Sequence, residues 1–365
     1  MAWLDTLFTQ MTSEGASDLH MTSGQVPKFR LHGDIGDVRG QGIVPPEMMA
    51  KVLREIVPDR NWEQFEREHD TDFAYELPGI ARIRCNYFMD RYGPGAVFRQ
   101  IPCEILTAEQ LNLPQSVMDL CFLSKGLVVV TGPTGSGKST TLAAMVDHIN
   151  KNRSDHIITI EDPIEFVHEP RRCLINQREV HRHTESFKRA LRAALREDPD
   201  IVLVGEMRDL ETIEIAIETA ETGHLVFGTL HTTTAASTVD RVIDQFPTEQ
   251  QSQIRIMLSE SLKGVIAQNL CRKIGGGRVA ALEVLLINSA IANLIRESKT
   301  FQIPSMMQVG RAQGMVALNE ALMELVTKKI VEPEEAYLKS VDKAAFEGLL
   351  KRANIDTKFV SNVAQ

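Results

Sequence analysis

The pattern of hydrophobic and polar positions divides the chain into two parts. Up to about Gln100, apolar and polar residues alternate in segments such as residues 72–77 and 80–84. This period of two is typical of half-buried antiparallel strands. Two helical stretches, near residues 3–10 and 46–57, complete what we predict to be a small α+β domain.

From Gly126 onward the pattern changes to nearly continuous apolar runs that alternate with amphipathic helices. This pattern predicts a parallel sheet with helices on both faces. The predicted strands are residues 127–131, 156–160, 201–204, 225–229 and 279–286. Beyond Asn288 the chain is predicted to be mostly helical. Pro102 and Pro114 bound an irregular stretch, residues 101–115, that suits a linker between domains at residues 1–100 and 116–365.

Composition limits the classes of function. The chain has 365 residues, of which 43% are apolar, enough for two cores. Its net charge of -9 works against a general affinity for nucleic acid or anionic lipid. The five cysteines are scattered without a CxxC pair, which predicts reduced thiols rather than a zinc site. Such thiols are typical of a cytoplasmic protein, which is the location we expect. No apolar run approaches the roughly 20 residues that span a bilayer, so we expect no transmembrane segment.

A glycine-rich segment between a strand and a helix carries the clearest chemistry. It has the P-loop pattern in its strand, loop and helix context, and the following helix has an apolar stripe. Backbone N–H groups of such a loop converge on phosphate oxygens, Lys138 can reach the β and γ phosphates, and Ser139 can supply a hydroxyl to Mg²⁺. We therefore predict ATP and Mg²⁺ as ligands. The predicted nucleotide-binding residues are Gly132, Pro133, Thr134, Gly135, Ser136, Gly137, Lys138, Ser139 and Thr140.

Carboxylates and histidines stand at the ends of other predicted strands. Glu206 follows a buried strand, and we expect it to polarise the attacking water and to act indirectly at Mg²⁺. Glu161 and Asp162 are candidate Mg²⁺ or water partners, although strands often end in acidic turns for structural reasons. His224 and His231 bracket a fourth strand. They could sense the γ-phosphate, bridge to a neighbouring subunit or serve as structural hydrogen-bonding groups.

Four motifs in this order resemble the secretion-type ATPase superfamily. They are the P-loop, an acidic box at residues 161–165, the pair Gly205 and Glu206, and a histidine box at residues 224–231. Residues 16–20 and 290–297 are similar to the retraction branch of this superfamily, the PilT family. The related extension ATPases generally carry a tetracysteine zinc module that this chain lacks, so the resemblance favours retraction. One departure is Ala292, where the retraction family usually has arginine, and the helix around it is equally consistent with core packing.

The resemblance implies an α/β fold with a RecA-like P-loop ATPase domain and a smaller PAS-like amino-terminal domain. It also implies a homo-hexamer in which arginines from elsewhere complete each nucleotide site. Arg82, Arg84 and Arg99 fit the family's amino-domain arginines, and we select Arg84 and Arg99 as contacts to the nucleotide. Arg196 and Arg241 are further candidates, with a solvated helix face as the alternative for each.

The implied function is a motor that uses ATP hydrolysis to drive type IV pilus retraction and twitching motility. Its expected partner is an inner-membrane platform protein, which would hold the chain peripherally at the inner membrane. Two alternatives stay open: a RecA-like nucleic-acid translocase and a nucleotide-gated scaffold that barely hydrolyses ATP. The acidic balance and the lack of a basic stretch with interleaved aromatic residues count against nucleic acid. A small P-loop kinase is disfavoured because no acceptor-substrate domain is evident.

Overall fold

The computed structural model describes residues 2–31, 33–101 and 104–363. The chain folds as two compact units. The first comprises Met1–Ile105 with Pro163–Val167, and the second comprises Leu106–Asp162 with His168–Gln365. Pro102 and Cys103, in the predicted linker, lie outside the described residues.

The first unit is a six-stranded antiparallel sheet with three helices. The strand order is β3-β2-β1-β6-β5-β4. The strands are β1 Asp18–Thr22, β2 Lys28–Leu31, β3 Asp34–Asp37, β4 Asp70–Leu77, β5 Ala81–Asp90 and β6 Gly93–Ile101. The helices are α1 Trp3–Glu14, α2 Pro46–Arg54 and α3 Asp59–Glu68.

Alternation along the strands builds the core of this unit. Tyr87 and Phe98 are fully buried and lie edge to face, and Phe98 also packs on Phe8 of α1. The strand predicted at residues 80–84 begins one residue later and continues to Asp90. The helix α3 was not predicted, because Phe65 is its only fully buried side chain and the apolar signal is correspondingly weak.

One arginine of this sheet explains why a short segment from elsewhere in the sequence belongs to the first unit. Arg82 of β5 is 9% exposed, and its Nε donates to the carbonyl oxygen of Ile164 at 2.9 Å. Ile164 lies in Pro163–Val167, directly after the acids Glu161 and Asp162. This contact assigns Arg82 a structural role within the unit.

The second unit is built on a seven-stranded sheet in the order β13-β12-β7-β11-β10-β8-β9. Every neighbouring pair is parallel except β12 and β13. The predicted all-parallel sheet is therefore wrong at one edge, where three consecutive glycines with positive φ, Gly275 to Gly277, close an antiparallel hairpin. The strands are β7 Gly126–Thr131, β8 His156–Glu161, β9 Leu174–Glu179, β10 Ile201–Val204, β11 Leu225–Leu230, β12 Leu262–Arg272 and β13 Arg278–Leu286.

Helices cover both faces of this sheet, which is why β7, β10 and β11 are buried at every position. Leu127 and Val129 point into one core, while Val128 and Val130 point into the other. The helices of the body are α4 Gln115–Leu120, α5 Lys138–Asn152, α6 Phe187–Ala194, α7 Leu210–Glu221, α8 Ala235–Asp244 and α9 Thr248–Ser261.

The carboxyl-terminal part is helical, as predicted, and has a core of its own. Leu322 and Phe346 are fully buried there against Cys271 of β12 and Ala281 of β13. In the part of the chain that the structure describes, no helix has both the length and the apolar character needed to cross a membrane. The helices are α10 Ser289–Arg296, α11 Ile303–Val309, α12 Leu318–Thr327, α13 Pro333–Lys339, α14 Lys343–Arg352 and α15 Val360–Val363, with 3-10 turns at Thr300–Gln302 and Gly310–Gln313.

Candidate active site

Four loops meet at the carboxyl edge of the parallel strands. Thr131 at the end of β7 lies opposite Leu230 of β11, and Val204 of β10 lies opposite both Gly228 of β11 and Ile160 of β8. The P-loop, the histidine box, Glu206 and Glu161 therefore follow strands that end close together. Ligands bind at this edge in open α/β sheets.

The P-loop has the backbone geometry that its sequence predicts. Gly132, Gly135 and Gly137 have φ values of 146°, 76° and 88°, which a side chain would oppose. Lys138 begins α5, and its Nζ donates to the carbonyl oxygen of Gly132 at 2.8 Å. The same Nζ lies 3.4 Å from Nδ1 of His231. The lysine ammonium group is thus folded over the loop beside the histidine.

Glu206 and His231 lie together. Nε2 of His231 is 2.8 Å from Oε1 of Glu206, so the hydrogen-bond network places the ring proton on Nε2 and leaves Nδ1 to accept from Lys138. Nε of Arg208 lies 2.6 Å from the same Oε1. Lys138, His231, Glu206 and Arg208 therefore form a continuous polar row, which we call the edge row.

The electrostatics of the edge row keep Glu206 ionised. Partial burial raises the pKa of this carboxyl, but the hydrogen bond and charge of Arg208 and the contact with His231 outweigh burial and hold the pKa below its usual value. The hydrogen bond to Glu206 raises the pKa of Arg208 in turn, and the charge of Asp162 contributes to this rise. Asp162 is exposed and thus extends the acidic side of the row.

Glu161 lies close to Gly205, the residue before Glu206, because Gly205 has no side chain. The N–H of Gly205 donates to the carbonyl oxygen of Ile160 at 2.8 Å. A Cβ atom at this position would lie 3.1 Å from that oxygen and 3.2 Å from Cα of Glu161. The Glu161 carboxylate accepts from Thr159 Oγ1 at 2.6 Å and from Gln177 Nε2 at 3.2 Å, so its direction is set by its own strand and by β9.

The structure does not bring His224 to the edge where the P-loop and His231 lie. His224 precedes β11 at the amino edge of the sheet, where its Nδ1 lies 3.1 Å from the carbonyl oxygen of Thr219. Its backbone carbonyl oxygen accepts from Gly126. A strand of this length separates it from His231 by about 20 Å. The geometry in one chain matches the structural role, and bridging to a neighbouring subunit stays a prediction.

The candidate arginines of the first unit are paired with acids of the same sheet. Nε of Arg99 donates to Oδ1 of Asp18 at 2.8 Å, and Nε of Arg84 lies 4.0 Å from Oδ1 of Asp72. Burial raises the pKa of Asp18, but its bonds to Arg99 and Ser17 outweigh burial and lower it. Both arginine side chains are more than a third exposed, at 64% for Arg99 and 40% for Arg84, so neither is committed to its acid by burial.

Arg196 and Arg241 do not join the edge row within one chain. Arg196 is exposed between the end of α6 and the start of β10, which is the amino edge of the sheet. Arg241 is exposed in the last turn of α8. The site lies at the other end of this helix, where α8 begins after the histidine box. Their contact with a nucleotide stays a prediction about a neighbouring subunit.

The sequence did not reveal two residues of the site. Arg208 lies two positions after Glu206, and a basic residue so close to a candidate catalytic acid was a usable signal. Gln268 lies on β12 and donates from Nε2 to the carbonyl oxygen of Ser136 at 2.7 Å, across 132 positions of sequence. Nothing in the local pattern around Gln268 marks it, because a glutamine within a largely apolar strand matches no motif.

The donor set at this edge suits Mg²⁺. Ser139 presents a hydroxyl in the first turn of α5, and Glu206 presents an ionised carboxylate, both hard oxygen ligands. Among the described residues no group of three or more histidines, cysteines or acids could hold a metal ion. At P-loops Mg²⁺ usually takes several of its ligands from nucleotide phosphates and water.

A P-loop after one parallel strand, with a catalytic-type acid after another strand of the same sheet, defines this protein as a P-loop ATPase. Comparison with known families identifies the branch. The family described as "Type II/IV secretion system protein" matches residues 2–276, and the chain belongs to that family.

Individual relatives and a solved structure show which members of this family the chain is similar to. The chain is 53% identical over 326 residues to the "Type IV pilus retractation ATPase PilT" of Pseudomonas aeruginosa, covering 88% of this chain and 94% of the relative. It is 50% identical over 331 residues to a "Twitching motility protein" of Neisseria gonorrhoeae, covering 88% and 87%. A crystal structure of "the Pilus Retraction Motor PilT and Bound ADP" superposes with a TM-score of 0.88 at 45% identity, covering 95% and 99%. These findings confirm the predicted family, fold class and class of enzyme.

Proposed function

We propose that this chain is the ATP-hydrolysing subunit of a motor that drives type IV pilus retraction. The observation that supports the proposal is the edge row beside the P-loop, in which a lysine, a histidine and an ionised acid are in contact with one another. The biological role is supported by two relatives that are named for pilus retraction and twitching motility and that the chain matches over most of their length.

In the proposed mechanism, the P-loop binds the phosphates of ATP through its backbone N–H groups and the amino end of α5. Lys138 exchanges its carbonyl partners, Gly132 and Pro133, for phosphate oxygens. Ser139 would hold Mg²⁺, which neutralises charge on the phosphates when bound. Glu206, supported by Glu161, orients the water that attacks the γ-phosphate. Positioning and charge neutralisation are the main sources of catalysis in this chemistry.

His231 links the two halves of this machinery. It contacts Lys138 through Nδ1 and Glu206 through Nε2, so any movement of the lysine towards phosphate changes the partner of the imidazole. Arg208 holds the same Glu206 oxygen. We infer that ATP binding frees Glu206 to take up water by displacing these contacts, which ties hydrolysis to occupancy of the site.

The assembly is proposed to be a homo-hexamer that acts on an inner-membrane platform protein. Arginines such as Arg84 and Arg99 would complete each nucleotide site by supplying positive charge to the transition state. Product release would let the first unit move as a rigid body about residues 101–115, an ordinary way to convert a ligand difference into motion. The platform protein would receive that movement and release pilin subunits.

The first experiment is ATP turnover per subunit as a function of protein concentration, for the wild type and Glu206→Gln. We expect turnover per subunit to rise with concentration to a plateau, and Glu206→Gln to lower kcat by about 10²–10⁴-fold, the usual contribution of such a group. Glu218→Gln makes the same chemical change at an exposed position of α7 and should leave turnover unchanged. Turnover that is flat with concentration and that Glu206→Gln changes little would contradict the shared-site mechanism and favour the gated scaffold.

A cellular measurement tests the direction of the motor. Expression of the wild-type chain in a bacterium that lacks its own retraction ATPase should restore twitching, and Glu206→Gln should not. Restoration by Glu206→Gln would contradict a role for hydrolysis. Failure of the wild type, despite measured turnover in vitro, would separate ATPase activity from the retraction role.

A further inference from the structure

A strand behind the P-loop contributes a side chain that no motif marks. In β12, Ala267 pairs with Thr131 of β7, and β12 then continues past the end of β7 behind the loop. A Cβ atom on Gly132 would lie only 2.3 Å from the carbonyl oxygen of Gln268. The first residue of the P-loop therefore packs directly against the backbone of Gln268.

The side-chain amide of Gln268 connects the end of the loop to the start of α5. Its Nε2 donates to the carbonyl oxygen of Ser136 at 2.7 Å, and its Oε1 accepts from Oγ1 of Thr141 at 2.7 Å. Gln268 is 3% exposed, so water does not substitute for either partner. If the amide were turned over, its Oε1 would face the carbonyl oxygen of Ser136, and two acceptors would lie opposite each other. The hydrogen bonds therefore fix the orientation of the amide.

The bond to Ser136 also fixes a neighbouring donor. In a trans peptide the C=O and N–H groups point in opposite directions. Because the carbonyl group of Ser136 points to Gln268, the N–H of Gly137 points away from β12, to the opposite face of the loop. A Cβ on Gly137 would lie 2.9 Å from Nε2 of Gln268, so the glycine is needed for this close approach. N–H groups on that face are the ones that bind phosphate.

We propose that Gln268 is a positioning residue for nucleotide binding, which holds the peptide group between Ser136 and Gly137 in its phosphate-binding orientation. This rests on the proposed function, because it requires nucleotide to bind at the P-loop. Without the amide, the peptide group can rotate, and the bound nucleotide must supply the free energy that orders it. The loss then falls on affinity for ATP and ADP rather than on the chemical step.

The test is Mg-ADP binding by calorimetry together with steady-state ATP hydrolysis, using the full chain. Gln268→Met keeps the length of the side chain but removes both hydrogen bonds, and we expect Kd and KM to rise roughly tenfold or more while kcat changes less than about threefold. Gln268→Glu keeps the acceptor but turns an oxygen towards the Ser136 carbonyl, so its loss of affinity should be larger. Gln250→Glu is the matched control on the exposed face of α9.

The outcomes separate this proposal from a purely structural role. A lower melting temperature with unchanged Kd and KM in both Gln268 variants would overturn it. If those variants do not fold, Thr141→Val removes only the hydroxyl that holds Oε1, and an unchanged Kd for Mg-ADP in that variant would overturn the proposal. A wild type that neither binds ADP nor hydrolyses ATP would reject the proposed function instead.

Discussion

His168 is a buried group away from the edge row whose titration couples to stability. It is 7% exposed, and among the described residues its Nδ1 has no hydrogen-bond partner. Burial lowers the pKa of His168 to about 4, against the raising effect of Asp147. The unfolded chain therefore takes up a proton that the folded chain does not, and stability is lost as pH falls from about 6.5 to about 4.

The variant His168→Gln removes this titration. We expect its free energy of unfolding to fall less steeply with pH than that of the wild type, with a difference of about 3 kcal/mol accumulated between pH 6.5 and 4. Urea unfolding at a series of pH values measures the slope. The control His181→Asn changes an exposed histidine and should keep the wild-type slope. Equal slopes for His168→Gln and the wild type would contradict the assignment.

Sequence reasoning succeeded for residues that a local motif marks. Lys138 lies at the end of the P-loop that follows β7, and Glu206 lies two positions after β10, so the order of the strands brings both to one edge of the sheet. His224 and His231 bracket a whole strand and therefore lie at opposite edges of the sheet, so the role of His224 stays a prediction about a neighbouring subunit. Sequence reasoning could not find Gln268, whose partners lie more than a hundred positions away.

Helices and strands, like single residues, were predictable only where a local pattern of apolar residues marks them. Strands buried on both faces were visible as continuous apolar runs, and Ile201–Val204 was predicted at its observed bounds. The edge strand β9 was missed because it has too few buried apolar residues to form a pattern. Ile175 and Glu179 are its only fully buried residues, and β9 pairs with β8 alone. The strand β12 was missed because it follows α9 without an intervening loop.

The meeting of β8 and β10 depends on Gly205. An alanine there would place Cβ 3.1 Å from the carbonyl oxygen of Ile160 and 3.2 Å from Cα of Glu161, so one strand end must shift. We expect Gly205→Ala to lower the free energy of unfolding by about 1–3 kcal/mol and to reduce kcat, since Glu206 is the next residue. Chemical denaturation and ATP turnover measure the two effects.

The control for this prediction is Gly348→Ala. Gly348 lies within α14, and a Cβ there would have no atom within 4 Å. Alanine should raise the free energy of unfolding by about 0.5–1 kcal/mol through helix propensity and leave turnover unchanged. If Gly205→Ala were as stable and active as the wild type, close packing of the two strand ends would not be needed for the site.

For the whole molecule, the path of the chain provides a direct covalent route from the site to the first unit. Glu161 ends β8 at the nucleotide edge, and after Asp162 the chain enters Pro163–Val167, which belongs to the first unit. There Arg82 fixes the carbonyl oxygen of Ile164. Asp162 is therefore the one residue that separates Glu161 from the segment that belongs to the first unit.

Whether arginines of the first unit act on a neighbour's nucleotide can be decided by mixing inactive variants. Arg84→Gln and Glu206→Gln should each be nearly inactive as pure proteins. Suppose that a site takes Glu206 from one subunit and Arg84 from the next. In a randomly mixed ring each of these residues is intact with a chance of one half, so both are intact at about one site in four. Mixing at equal amounts should therefore restore about one quarter of wild-type turnover if Arg84 acts in trans.

The same mixture separates the other assignments. If Arg84 completes the site of its own chain, every subunit carries one defect and mixing restores nothing. Repeating the experiment with Arg99→Gln, Arg196→Gln and Arg241→Gln in place of Arg84→Gln sorts the four candidates by the same ratio. A variant that is fully active alone belongs to a solvated surface, as the exposure of Arg196 and Arg241 allows. Recovery must depend on subunit exchange, so mixing without exchange provides the baseline.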